Sequence, residues 1–143
     1  MTTTTIRQIL AGRPLHKVAP GASVAEVAAV MAQAGVGAVA VLDGERLVGL
    51  VSERDVVFRL VAEGRSPSET CACEIMTAEP VTLSIEEPVS GALAAKLGEA
   101  FRHLPVVEGE TVVGLLSYRD IPAEYVMLYE RFLEMSTARA DEQ

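Results

Sequence analysis

The nine residues Leu47 to Asp55, LVGLVSERD, return as Val112 to Asp120, VVGLLSYRD. Gly49 matches Gly114, Ser52 matches Ser117, Arg54 matches Arg119 and Asp55 matches Asp120, each pair 65 positions apart. The same offset runs upstream without a gap and sets Val24 against Val89, Val41 against Val106 and Gly44 against Gly109. The chain is therefore two copies of one unit. Open solenoid arrays usually repeat every 20 to 50 residues or so; a longer period with only two copies points to a closed pseudo-twofold pair.

Each copy reads as strand, helix, strand, strand, helix. Ser23 followed by Glu26 is a capping-box signature, and Val24, Val27, Ala28 and Met31 keep helical spacing until Gly35 stops them. Val39 to Leu42 and Leu47 to Val51 are strand-like runs joined by Asp43, Gly44, Glu45 and Arg46, which is hairpin chemistry. A helix is expected after the motif, with Val56, Val57, Leu60 and Val61 on one face and Gly64 at its end. The second copy predicts a helix over Val89 to Gly98, strands at Leu104 to Val107 and Val112 to Leu116, and a further helix. Short extended stretches, His16 to Val18 and Val81 to Leu83, precede the first helix of each copy. The fold class expected is α+β. The repeats span residues 6–65 and 72–135, with a polar linker at 66–71 and a solvated tail at 136–143.

A chain of 143 residues fits one compact domain, which buries roughly 68–70% of its unfolded surface at this size. Half of the residues are hydrophobic and only 4% aromatic, so the core must be built from Val, Leu, Ala and Ile. The net charge of −8 argues against nucleic acid or an anionic membrane as a general partner, because phosphate backbones are held by clustered Lys and Arg. No apolar run reaches the roughly 20 residues that span a bilayer, and Met1 to Thr5 lead into no signal segment. A cytoplasmic protein is expected. Cys71 and Cys73 form a C-x-C without a second cluster, and His16 and His103 do not complete a metal-ligand set, so no metal is expected.

Ser-x-x-Asp at a helix entrance has a plain structural reading. The serine accepts the Asp amide while the carboxylate reaches back, an acidic capping box. Arg54 and Arg119 go beyond it, because a cation in a first helical turn is mildly unfavourable, by about 0.3–1 kcal/mol. Free amides, a hydroxyl and a guanidinium together suit a phosphate, while the carboxylate suits ribose hydroxyls.

The paired hydrophobic-Val-Gly-Leu-hydrophobic-Ser-x-Arg-Asp pattern, with Arg-His-Leu-Pro-Val-Val at Arg102 to Val107, resembles tandem cystathionine-β-synthase (CBS) domains, the Bateman module. The resemblance covers about residues 6 to 135, and the Ser-Glu-Arg-Asp form of the first copy is similar to bacterial stand-alone members. It implies two β-α-β-β-α repeats packed as one module, with an adenosine compound such as AMP, ADP, ATP, NAD or S-adenosylmethionine in a cleft between them. Carried over by position, Asp55 and Asp120 would bind ribose, and Ser52, Arg54, Ser117 and Arg119 would approach phosphate. The adenine would lie near Lys17, Val18, Thr82 and Leu83, with Gly37, Ala38, Arg102 and His103 lining the other wall and Pro105 nearby. His103 is also readable as a packed structural residue.

The two copies are not equal. Lys17 stands where the second copy has Thr82, Ala40 stands against Pro105, and Gly37 and Ala38 stand against Arg102 and His103. Pro122, five residues after Ser117, requires the helix after the second motif to start differently from the first. Tyr125, Leu128, Tyr129 and Phe132 follow helical spacing, as expected of an amphipathic helix packing on this chain or on a second copy. The function expected is a non-catalytic regulatory module sensing adenine nucleotides, a homodimer that passes its signal to an unidentified effector protein. The alternative is a ligand-independent dimerisation or interaction module. An enzyme is disfavoured, since the sequence has no nucleophile paired with a base, no Walker or G-x-G-x-x-G loop and no metal-ligand cluster.

Overall fold

The computed structural model describes residues 4–95, 97 and 101–141. Ser23 caps the first long helix, α2 (Val24–Ala34), by accepting the Glu26 amide at 3.1 Å, and Gly35 ends it in the left-handed region at φ 68°. Val24, Val27 and Met31 form its buried stripe. β2 (Ala38–Asp43) and β3 (Arg46–Ser52) follow as an antiparallel hairpin whose turn needs a positive φ at Gly44, 65°. β1 (Lys17–Val18) lies parallel to β2.

The second copy repeats this geometry with β5 (Leu83–Ser84), α5 (Val89–Ala94), β6 (His103–Glu108) and β7 (Thr111–Ser117). Its register is that of the first copy moved by 65 positions: Ala38 faces Ser52 as His103 faces Ser117, and Val41 faces Gly49 as Val106 faces Gly114. The part of the predicted 89–98 helix at residues 96 and 98 lies outside the described residues.

The copies exchange their lead-ins. The N-terminal turn α1 (Ile6–Leu10) is capped by Thr5. It places Ile6 and Leu10 among Leu83, Val89, Leu104 and Leu116, the core of the second copy. In turn α4 (Ala72–Ile75) places Ala72 and Ile75 among Val24, Val39 and Val51, the core of the first. β4 (Thr77–Ala78) then joins the edge of β3, giving sheets ordered β1-β2-β3-β4 and β5-β6-β7. The crossing repeats down to single bridges, Ser23 with Cys71 and Thr5 with Pro88. The two contiguous halves of the chain thus hold matching sequence, but each hydrophobic core draws on both. A third cluster of Ala40, Leu42 and Val112, with Leu15, Leu47, Val107 and Leu115 against it, joins the copies.

The segments after the motifs differ from expectation and from each other. α3 (Glu53–Asp55) widens into a π-helical stretch over Val56–Val61, where the Ala62 amide donates to the carbonyl of Val57. The wider turn rotates side chains off the α-helical stripe. Only Leu60 is fully buried, while Val57 and Val61 face outward with Phe58, which corrects the expected single face of Val56, Val57, Leu60 and Val61.

In the second copy a 3-10 turn at Tyr118–Asp120 ends in extended Ile121, and α6 (Ala123–Asp141) starts only after Pro122. The proline does impose the different start. There it donates nothing, and its carbonyl accepts the Tyr125 amide at 3.0 Å. α6 continues as helix past Ser136, where a solvated tail was expected; Ser136 and Thr137 are exposed on it. Tyr125, Val126 and Tyr129 pack on the second core, whereas Leu128 and Phe132 are exposed together with Met127 and Met135.

Candidate functional site

β3 and β7 each end in a motif serine, and the two motif turns face a broad cleft of about 1290 Å³. Its walls are the α2–β2 loop, the entrance to β6, the segment Leu10 to His16 and the two motif turns. The charge distribution is the feature that composition alone could not reveal. Arg13, Arg54, Arg102 and Arg119 line the cleft, four of the 12 Lys and Arg in the chain, together with both histidines, His16 and His103. Against them stand Glu53 and Asp120, two of 20 acidic residues. A strongly acidic protein therefore gathers cations in one concavity, which favours anions there.

Both motifs are true caps. Ser52 accepts the Asp55 amide at 3.3 Å while Asp55 Oδ2 accepts the Ser52 amide at 2.9 Å. In the second copy Asp120 Oδ2 accepts the Ser117 amide at 2.8 Å, and Ser117 Oγ accepts the Arg119 amide at 3.3 Å. The strand ends that hold them are alike as well: the Glu53 amide donates to the Gly37 carbonyl and the Tyr118 amide to the Arg102 carbonyl, both at 3.0 Å. The capping reading is thus realised in both copies, with the second carboxylate oxygen left for other partners.

Those other partners differ. Asp55 is buried, and its Oδ1 faces Thr77 Oγ1 at 3.4 Å and Arg59 Nε at 3.8 Å, both supplied away from the cleft. Asp120 lines the cleft, and its Oδ1 accepts from Arg13 Nη1 at 2.7 Å. Arg54 lies over the Phe58 ring, 5.2 Å from its centroid, so its guanidinium is positioned at the cleft edge by an exposed aromatic.

His103 reaches across to the first copy. A Cβ added at Gly37 would sit 2.7 Å from Glu53 Oε1 and 3.3 Å from His103 Nε2, so glycine is what lets this carboxylate and ring approach that backbone. Burial holds the His103 pKa below the usual histidine value, aided by Arg119 and Arg102 and opposed by Glu53 and Asp120. Its Nδ1 is buried with no hydrogen-bond partner among the described residues. The lowered pKa favours a neutral imidazole, and Nε2, on the Gly37 side of the ring, is the nitrogen nearest the first copy's backbone.

Of the residues singled out in the sequence, the cleft gathers Gly37, Ala38, Ser52, Arg54, Arg102, His103, Ser117, Arg119 and Asp120. It does not gather Lys17, Val18, Asp55, Thr82, Leu83 or Pro105. Val18 and Leu83 lie in the two cores, Lys17 and Thr82 are exposed, and Pro105 is fully buried in β6. Sequence reasoning missed His16, one position from Lys17, and alternation along an extended stretch was the signal that separates them. It also missed Arg13, Glu53 and Tyr118. Glu53 and Tyr118 occupy the variable position inside the motif, and Arg13 belongs to the exchanged lead-in, which no local pattern places.

Comparison with known proteins gives one answer. The CBS domain family model matches residues 6–62 and 72–124. The Bacillus subtilis CBS domain-containing protein YhcV is 30% identical over 104 residues, covering 73% of this chain and 74% of that protein. The Arabidopsis thaliana protein CBSCBSPB2 is 31% identical over 121 residues, but this chain spans only 23% of its length. Among solved structures, a CBS-domain protein from Burkholderia ambifaria superposes with a TM-score of 0.75 at 34% identity, covering 82% of this chain and 90% of that one. PAE2072 from Pyrobaculum aerophilum, solved in complex with AMP, superposes at 0.77 with 28% identity, covering 90% and 99%.

Proposed function

This chain belongs to the CBS domain family, and we propose that it is a non-catalytic regulatory module whose cleft binds an adenosine compound such as AMP, ADP, ATP or NAD. The observation that carries this reading is the cationic cleft: four arginines and two histidines in a protein of net charge −8. Arg54 and Arg119 approach from the two motif turns and offer forked donors to phosphate. Asp120, beside the Ser117 cap, presents a carboxylate for ribose hydroxyls, and His103 offers a neutral ring for the base or a phosphate oxygen. The AMP-bound structural neighbour supports this choice of ligand class.

The test is a thermal-shift panel of AMP, ADP, ATP, NAD and S-adenosylmethionine at two ionic strengths. A saturable rise in Tm that shrinks with salt is expected, because paired phosphate and guanidinium groups are screened. No shift with any adenosine compound overturns the reading.

A second reading has its own observation. Val57, Phe58 and Val61 on one side, and Met127, Leu128, Phe132 and Met135 on α6, leave apolar side chains exposed. Such faces suit self-association into a homodimer or docking of an effector. Dimerisation without ligand, together with a melting temperature unmoved by nucleotides, would favour assembly as the function.

A further inference from the structure

We propose that Arg13 is a charge-selecting residue for the second copy's half of the cleft: it holds Asp120 until a phosphate-bearing ligand takes over its guanidinium, and it disfavours neutral nucleosides. The inference rests on the nucleotide reading above and adds a specificity determinant to it. Asp120 has two carboxylate oxygens, and Oδ2 is committed to the Ser117 amide at 2.8 Å. The remaining Oδ1 is held by Arg13 Nη1 at 2.7 Å. A ribose hydroxyl that is to reach Asp120 must therefore compete with Arg13.

The pair is built to exchange. The Asp120 side chain is only 15% exposed, while that of Arg13 is 51% exposed on the lead-in between α1 and β1. Solvent screens an ion pair with one partner this open, so opening it costs little. What matters is where the guanidinium goes afterwards. A phosphate offers it charge-assisted, forked hydrogen bonds in place of the lost carboxylate. A neutral nucleoside offers no such replacement and leaves the cation unmatched beside Arg119 and Arg102.

The first copy lacks this device. Asp55 Oδ1 meets the neutral hydroxyl of Thr77 at 3.4 Å, supplied by the other exchanged lead-in. Thr77 corresponds to Gly12 under the 65-residue offset, so Arg13 falls beside the equivalent position; the guanidinium near Asp55, that of Arg59 at 3.8 Å, comes instead from the helix after the motif and does not line the cleft. Charge selection is therefore a property of the Asp120 half alone.

The experiment is calorimetric titration of adenosine, AMP and ATP into the full chain and into its Arg13→Gln and Arg13→Lys variants. For Arg13→Gln, ATP and AMP are expected to bind about tenfold or more weakly, while adenosine binds as well as or better than to the unsubstituted chain. Arg13→Lys should restore part of the nucleotide affinity, since it keeps the charge without the fork. Equal weakening of adenosine and nucleotides assigns Arg13 a purely structural role and overturns the proposal. Unchanged affinities for all three reduce the contact to an exposed ion pair and overturn it as well. If the unsubstituted chain binds none of the three, the selectivity proposal is overturned, and the adenosine-compound reading is decided separately by the wider thermal-shift panel.

Discussion

Asp55 and Asp120 occupy matching places in two nearly identical turns, and their surroundings show how a duplicated motif becomes two different sites. Both accept the amide of their own motif serine, at 2.9 and 2.8 Å, although Ser52 Oγ accepts the Asp55 amide in an α turn and Ser117 Oγ the Arg119 amide in a 3-10 turn. The difference comes partly from the helix after the motif, which supplies Arg59 four residues from Asp55, and partly from the lead-in that each meets across the molecule. Asp55 is closed in by Thr77 and Arg59, while Asp120 faces Arg13, Arg102 and His103 in the cleft. The carboxylate half of the cap is local and shared; the partners of the second carboxylate oxygen are not shared.

The comparison breaks most visibly at the exchanged lead-ins. Ile75 is fully buried in the core of the first copy and Ile6 in that of the second. Truncating either to alanine should cost about 2–5 kcal/mol in denaturant unfolding. Amide exchange should then locate the damage: Ile75→Ala should expose Val39 and Val51, and Ile6→Ala should expose Leu104 and Leu116. Loss of protection in the opposite pattern would mean that the copies do not interleave.

A smaller effect compares the two strand glycines. A Cβ at Gly49 would crowd Met76 and sit 3.0 Å from the Thr77 carbonyl, whereas at Gly114 the nearest atom is Leu10 Cδ1 at 3.1 Å. Backbone yields less than the tip of a leucine. Gly49→Ala should destabilise by about 1–3 kcal/mol and Gly114→Ala by less, read from the shift in denaturation midpoint.

The aspartates themselves should separate stability from binding. Asp55→Ala removes a buried acceptor for the Ser52 amide and hydroxyl and should cost about 1–2 kcal/mol. Asp120→Ala loses a more exposed cap and an ion pair and should cost less, yet it should weaken nucleotide binding more. Equal stability losses with equal binding losses would restore symmetry between the sites.

The smallest effect concerns pH. Burial lowers the folded-state pKa of His103 below 6.5, so the unfolded chain takes up the proton first as pH falls. The contribution of this group is complete above about pH 6.5 and is lost as pH drops from there toward its folded value, by at most about 1.4 kcal/mol per pH unit. Denaturation midpoints measured from pH 7.5 to 5.5 should fall less steeply for His103→Gln than for the unsubstituted chain. Parallel curves would show that the ring is not desolvated.

Much of this was legible along the chain because the determinants act within a few residues. Ser23 and Glu26, Gly35, the Gly44 turn and the alternation through Val39 and Val41 specify helix, stop and hairpin through i to i+3 bonds and the pleat. The paired Ser-x-Arg-Asp turns were visible for the same reason, as was the late start forced by Pro122. Val57 and Val61 turn outward because the helix widens into a π-helical stretch, a change that the apolar spacing does not announce. Lys17 and Thr82 are exposed and lie outside the cleft lining, while Arg13 reaches Asp120 from a segment distant in sequence that no local pattern places there.

The sequence by itself therefore determined a duplicated α+β unit, its hairpins, its two capped turns and the inequality of the copies at Gly37 and Arg102. Only the tertiary structure decided which core each lead-in completes, because both sheets offer similar aliphatic faces and no local pattern distinguishes them. That same crossing sets Arg13 on Asp120 and Thr77 on Asp55, and so adds Arg13 to the arginines that the motif turns and the β6 entrance bring to the cleft.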